Sequence, residues 1–151
     1  MIAPEPFESP DVQELAGAQQ AASRALYGGE ADIGPVREGW MFEPPDGLFL
    51  VAREDGRAVA CGGICRFDET RAELKRMYVV PEARGRGLGR AILDALEEAA
   101  RGFGYVGVVL ETGELHHEAL GLYASAGYEP IPCYGAYAGR AISRCFEKGL
   151  A

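Results

Sequence analysis

The sequence predicts a mixed α/β domain, and three observations carry that expectation. Two segments, 11–27 and 87–101, place apolar residues at helical spacing. Several short runs are apolar and strand-like, and two of them flank Asp55-Gly56, residue types that suit the positive φ angles of a tight hairpin turn. A glycine-rich stretch, "RGRGLGR" from Arg84 to Arg90, stands between one such run and the second helical segment. The expected order is β-α-β-β-β-α-β-α-β-β.

In order along the chain, Ile2 to Phe7 reads as a short strand that its prolines confine to a sheet edge. Val12, Leu15, Ala18, Ala22 and Leu26 share a helix face, which Gly28-Gly29 closes. Glu30 to Asp46 is irregular, rich in proline and glycine, and contains Trp40 and Phe42. "GLFLVARED" and "RAVACGGICRF" form the hairpin, and Asp68 to Arg71 makes a second turn. "AELKRMYVV", from Ala72 to Val80, is a strand with charges near its start. Leu88, Ala91, Ile92, Ala95, Leu96 and Ala99 form one apolar face of the next helix. "YVGVVLE" is a buried strand, Glu118 to Ala126 a short helix stopped by Gly127. "YEPIPCYGAY" and "RAISRCFEKGL" close the chain as two further strands.

A chain of 151 residues with 48% hydrophobic residues suits one domain spanning 1–151. A formal net charge of -8 lacks the basic footprint of a nucleic-acid binder and fits a cationic small molecule or peptide better. The acidic, proline-rich start is no signal peptide, and no apolar run approaches membrane-spanning length, so a cytoplasmic protein without a membrane partner is expected. Of the four cysteines, Cys61 and Cys65 lie about 13 Å apart along a strand at ~3.3 Å per residue, too far to bridge. Cys61, Cys65, Cys133 and Cys145 are read as buried reduced thiols. With His116 and His117 they lack zinc-ligand spacing, so no metal is expected.

The loop reads as an anion site. Gly85, Gly87 and Gly89 let the backbone approach a ligand, and the following helix aims its first N–H groups at the loop. Arg84, Arg86 and Arg90 add positive charge; the plain alternative is a turn whose arginines are solvated. A nucleoside triphosphate would want GxxxxGK[ST], but Arg90-Ala91 follows Gly89. A dinucleotide would want GxGxxG opening a helix. The GxGxxG at Gly102 to Gly107 precedes a strand instead, so helix exit and a tight turn explain it.

The remaining candidate is coenzyme A, and here the sequence resembles the GNAT N-acetyltransferase superfamily. Arg84, Gly87 and Gly89 fill its [Q/R]-x-x-G-x-[G/A] signature. Ala119, Leu122, Tyr123, Gly127 and Tyr128 fill a second one, Ala-x-x-Leu-Tyr followed by Gly-aromatic. The resemblance implies the GNAT fold: a mixed central sheet of about six to seven strands flanked by three to four helices. It also implies an acetyl-CoA-dependent N-acetyltransferase acting on a primary amine of a small molecule, amino acid or peptide N-terminus. Acetyl-CoA would serve as co-substrate, with its pyrophosphate on the backbone of Arg84, Gly85, Arg86, Gly87, Leu88, Gly89 and Arg90. Its pantetheine would pair along Tyr78, Val79 and Val80. Relatives often dimerise through the terminal strands, which leaves a homodimer open. Two departures bear on the acceptor: His116 stands where relatives often have Asn, and the segment before the hairpin is glycine- and proline-rich where relatives often have a helix.

An ammonium with pKa near 10.4 is free amine in only about one molecule in two thousand at pH 7, a deficit of ~4 to 5 kcal/mol. A base is therefore the larger need, and an acid for the thiol the smaller one. Glu73, eleven residues before Arg84, stands where histone-acetylating members place a glutamate and is the first candidate base. Its alternative is a solvated carboxylate beside Lys75 or Arg71. Glu111 is the second candidate, and His116 or His117 a third. The second signature implies Tyr123 as the acid for the sulfur; by residue pattern alone it is a packed tyrosine. Trp40, Phe42, Glu111, His116 and Tyr134 are candidate acceptor contacts, with Glu30, Asp32, Glu38, Glu43 and Asp46 as attraction for a cation. An acyl-CoA-binding module without catalysis is the rival expectation.

Overall fold

The computed structural model describes residues 1–28 and 37–150; Glu30 and Asp32 lie outside the described residues. Along the chain come β1 (Ile2–Pro4), α1 (Pro10–Tyr27), β2 (Leu48–Glu54), β3 (Arg57–Arg66) and β4 (Arg71–Val79). They are followed by α2 (Leu88–Gly102), β5 (Gly107–Gly113), α3 (His117–Ser125), β6 (Glu129–Ile131) and β7 (Ser143–Gly149). The strands form one mixed sheet in the order β1-β2-β3-β4-β5-β7-β6, with β4 and β5 parallel and every other pair antiparallel. The expected element order and strand count are both observed.

Local chemistry explains most boundaries. Ser9 caps α1 by accepting from the Val12 N–H at 3.4 Å, and Pro10 occupies the first turn, where its missing donor costs nothing. Gly28 ends the helix in the left-handed region at φ 67°. Asp55 and Gly56 both take positive φ, as the β2–β3 hairpin requires.

The core lies on both faces of β2 to β4. Neighbouring β3 residues point to opposite faces: a side chain at Gly62 would meet Ile92 and Leu96 of α2, and one at Gly63 would meet Phe42 and Phe49. Ile92, Leu93, Leu96 and Ala100 are the buried stripe of α2, while Phe7, Phe42 and Phe49 stack on the other side with centroids 4.7 to 5.4 Å apart.

Two expectations are corrected at the C-terminal end. "YEPIPCYGAY" is a strand only over Glu129–Ile131, because Pro130 and Pro132 remove ladder donors and Gly135 turns the chain at φ 54°. Cys133 and Cys145 are not free thiols but a disulfide, while Cys61 and Cys65 are buried and reduced. The β6–β7 register sets Ile131 opposite Cys145, so the chain two residues on brings Cys133 within 5.1 Å Cα–Cα of Cys145, inside bridging range. That register joins segments whose pairing no spacing rule reveals.

Candidate active site

β4 and β5 pair only at their first residues: Arg71 with Gly107, Ala72 with Val108, Glu73 with Val109. Beyond these the two strands part, β4 staying with β3 and β5 with β7. The gap between them is a cleft of about 630 Å³. Leu74 to Val79 form one wall and Glu111 to Gly113 the other. Gln19, Ser23 and Tyr27 of α1 close one side, and Leu122 and Tyr123 of α3 line it further along. Tyr27 is seated tightly: its hydroxyl accepts from the Leu115 N–H at 2.8 Å and lies where a side chain at position 113 would stand, so only glycine fits there.

β4 carries a bulge. Cys61 faces Tyr78 and Gly63 faces Lys75, so two residues, Arg76 and Met77, oppose Gly62 alone, and Arg76 takes φ 61°. The bulge bends the strand as it leaves β5 and exposes the edge of Leu74 to Val79, which has no strand partner on that side among the described residues.

The glycine loop closes one end of the cleft. After the 3-10 turn at Pro81–Ala83, Gly85 and Gly87 both take φ 79°. Gly87 is the N-cap of α2, and the first helical bond runs from the Ala91 N–H to the Gly87 carbonyl at 3.0 Å. The N–H groups of Leu88, Gly89 and Arg90 therefore lack an intrahelical acceptor. The loop's arginine side chains are engaged elsewhere: Arg86 grips Glu54 at 2.7 and 3.0 Å, Arg90 reaches Asp94 at 3.0 Å, and Arg84 donates to the Val79 carbonyl at 3.0 Å while lying over Tyr78. What the loop offers an anion is main-chain amide. Val80 is buried and donates its N–H to Val59 at 2.9 Å, so of the expected pairing edge only Tyr78 and Val79 line the cleft.

The candidate catalytic groups fall into two sets. Tyr123 lines the cleft and is buried. Burial, reinforced by the charge of Glu111, holds its pKa well above the usual phenol range. Glu111 lines the cleft as well: Ser143 Oγ donates to its Oε2 at 2.7 Å, and the Arg140 guanidinium stands 3.9 Å from the same oxygen. His116 lies on the same side, with Nε2 at 3.2 Å from Ser23 Oγ, and desolvation lowers its pKa. Glu73 is different. It is buried and does not line the cleft; Arg37 pairs with Oε1 and Tyr134 donates to Oε2 at 2.9 Å. It is therefore not the solvated carboxylate of the alternative expectation.

The profile of the Acetyltransferase (GNAT) family matches residues 13–128. The chain belongs to the GNAT family. Among relatives of this GNAT protein, the IAA acetyltransferase of Azospirillum brasilense is 39% identical over 107 residues, 70% of each chain. Other curated relatives are matched over 61% and 56% of their length. A Klebsiella pneumoniae protein provisionally described as an acyl-CoA N-acyltransferase superposes with TM-score 0.85 at 30% identity, over 100% of this chain and 97% of that one. The PaiA N-acetyltransferase of Thermoplasma acidophilum, solved in complex with coenzyme A, gives 0.73 at 18% identity over 99% and 98%, a likeness of fold.

The acceptor-side expectations for this GNAT protein fare unevenly. Glu111 and His116 do line the cleft. Phe42 does not: it is core, packed on Phe7 and Phe49, because an apolar ring next to that cluster gains more from burial than from a wet wall. Trp40 is 66% exposed, bonds Glu38 through its indole at 2.7 Å, and is not on the cleft wall. Asp46 pairs with Arg66 at 2.7 Å, away from the cleft. Tyr134 touches Glu73 and not the cleft. Unforeseen from sequence were Ser23, Lys75 and Arg140 as lining residues, and Arg37 as the partner of Glu73. Lys75 was legible as a cation set unusually deep in a strand; the others come from distant segments.

Proposed function

We propose that this GNAT protein transfers the acetyl group of acetyl-CoA to a primary amine of a small molecule, amino acid or peptide N-terminus by direct attack. The observation that carries this is the parting of β4 from β5, which puts an unpaired strand edge, a row of helix-start amides and the Tyr123 hydroxyl on one cleft. When bound, acetyl-CoA supplies an acyl group activated as a thioester, whose thiol, with a pKa near 8.5, is a far better leaving group than an amine. The chain supplies the rest.

The amides of Leu88, Gly89 and Arg90 hold the diphosphate. The edge at Tyr78 and Val79 offers main-chain groups to the amide-bearing arm, as a neighbouring strand would. Glu111, on the cleft and next to Tyr123, takes the proton of the acceptor ammonium. Its position favours it over Glu73, both of whose oxygens are engaged by Arg37 and Tyr134. Tyr123, kept protonated by its surroundings, donates to the departing sulfur. A binding module without catalysis would need neither group on the cleft.

Free-thiol release from acetyl-CoA, measured against a panel of primary amines, tests the proposal. Amine-dependent release well above the hydrolytic background is the expected result. Calorimetric binding of acetyl-CoA with no transfer to any amine would leave the binding module as the function.

A further inference from the structure

We infer that Tyr128 and Glu97 are positioning residues for Tyr123: the Glu97 carboxylate holds the Tyr128 hydroxyl, and the Tyr128 ring holds the ring of the acid on the cleft wall. The inference rests on the proposed function and deepens it, because it says how the acid is aimed.

Tyr123 sits on α3, a helix of nine residues. A helix that short is not stable in water by itself, so tertiary packing has to hold it. Its other residues are exposed or half-buried, and Tyr123 is what it buries. Whatever grips the Tyr123 ring therefore places both the helix and the hydroxyl. Placement matters to rate, since a shift of about 1 Å in a reacting group can cost roughly 10²-fold.

The grip is Tyr128. Its ring meets that of Tyr123 edge-on, with centroids 5.7 Å apart and planes at 60°, a favoured arrangement of two aromatic rings. Its backbone N–H donates to the Tyr123 carbonyl at 3.0 Å, and Gly127 at φ 94° makes the turn that brings one ring back onto the other. Tyr128 is buried and is not on the cleft wall, so it touches the acid and not the ligand.

The far end of Tyr128 is anchored. Its hydroxyl donates to Glu97 Oε2 at 2.8 Å. Lys148 Nζ donates to Glu97 Oε1 at 2.7 Å and lies 5.7 Å from the centroid of the Tyr128 ring. Glu97 is only 4% exposed, and a buried ion pair of this kind is often no more stable than an apolar replacement of the same volume. The signature asks only for an aromatic after Gly127; here that aromatic carries a hydroxyl, and Glu97 receives it. What the polar trio adds over an apolar one is direction, because a hydrogen bond at the end of the ring fixes a tilt that packing alone leaves open. Burial first, and the Glu97 charge second, keep Tyr128 protonated, so it stays the donor. Glu97 lies on α2, the helix whose first amides hold the diphosphate. The acid and the diphosphate site are thus referred to one rigid element.

A double-mutant cycle tests this. Amine-dependent thiol release from acetyl-CoA is measured for Tyr128→Phe and Glu97→Gln, each in the parent and in Tyr123→Phe, below the melting temperature of every variant. Tyr128→Phe keeps the ring and leaves Glu97 with Lys148, so this arm stands even where Glu97→Gln fails to fold. In the parent, Tyr128→Phe lowers kcat about tenfold with both KM values little moved. In Tyr123→Phe the same change lowers kcat less than about twofold, because the group it aims is already gone. A purely structural role gives the same factor in both backgrounds. That result, or a parent kcat untouched by Tyr128→Phe, overturns the inference and leaves the proposed function intact. Unchanged turnover in Tyr123→Phe removes the acid and this inference together, while transfer itself stands. Transfer to no amine at all overturns the proposed function and the inference with it.

Discussion

Tyr134 donates its hydroxyl to Glu73 Oε2 at 2.9 Å, tying the connection between β6 and β7 to the middle of the sheet. Arg37 takes the other carboxylate oxygen, and its own Nε is buried without a partner among the described residues. The three residues form a structural joint built from segments far apart in sequence.

Glu73→Gln therefore acts first on stability. It strands the Arg37 charge, whose side chain is only 13% exposed, for a loss of about 3 kcal/mol, read from the urea midpoint. The acidic limb of its pH–rate profile stays in place, whereas Glu111→Gln removes that limb. A limb lost in Glu73→Gln and kept in Glu111→Gln would return the role of base to Glu73.

Tyr123→Phe lowers kcat by about 10²- to 10⁴-fold while the acetyl-CoA KM changes little. Its pKa is raised, so the hydroxyl stays protonated and able to donate from neutral pH through about pH 9, and no basic limb in that range belongs to it. The variant keeps the basic limb of the parent at a lower plateau. Unchanged turnover removes Tyr123 from the mechanism.

Two glycines of the loop separate backbone strain from helix propensity. Gly87 is at φ 79°, with open space where a side chain would stand. Gly87→Ala forces an L-residue into the left-handed region, for about 1–2 kcal/mol, and lowers Tm. Gly89 lies within α2, and a Cβ there meets Leu122 at 3.5 Å and Val79 at 3.7 Å, ordinary contacts. Gly89→Ala keeps or raises Tm while weakening acetyl-CoA binding by calorimetry, because the added methyl stands where the ligand approaches the amides. Undiminished binding in Gly89→Ala would move the diphosphate off this loop.

The Cys133–Cys145 bridge closes a short loop that contains Tyr134, Tyr137 and Arg140. Cys133→Ser costs about 3 kcal/mol by the loop-entropy argument and raises the acceptor KM more than the acetyl-CoA KM. Thiol titration of denatured, unreduced protein gives two free cysteines, Cys61 and Cys65, and four after reduction. Burial pushes the Cys61 thiol up to about 12 and the Cys65 thiol up to about 11, so neither reacts in the native state near neutral pH. Four titratable thiols before reduction would count against the bridge.

The sequence by itself determined the order of elements, the hairpin at Asp55-Gly56, the capped α1 and the amide-rich start of α2. Each of these follows from residues near one another in the chain, through periodicity, capping and the φ preferences of glycine. It also brought Glu111, His116 and Tyr123 into view. Tertiary structure alone decided that β4 leaves β5 after Glu73, that Arg37 and Tyr134 claim Glu73, that Cys133 meets Cys145, and that Lys75 and Arg140 share a wall with Glu111. These depend on strand register and on close approach of segments up to about half the chain apart. Local propensity carries no information about such neighbours, because the free energy that selects them comes from packing the whole sheet.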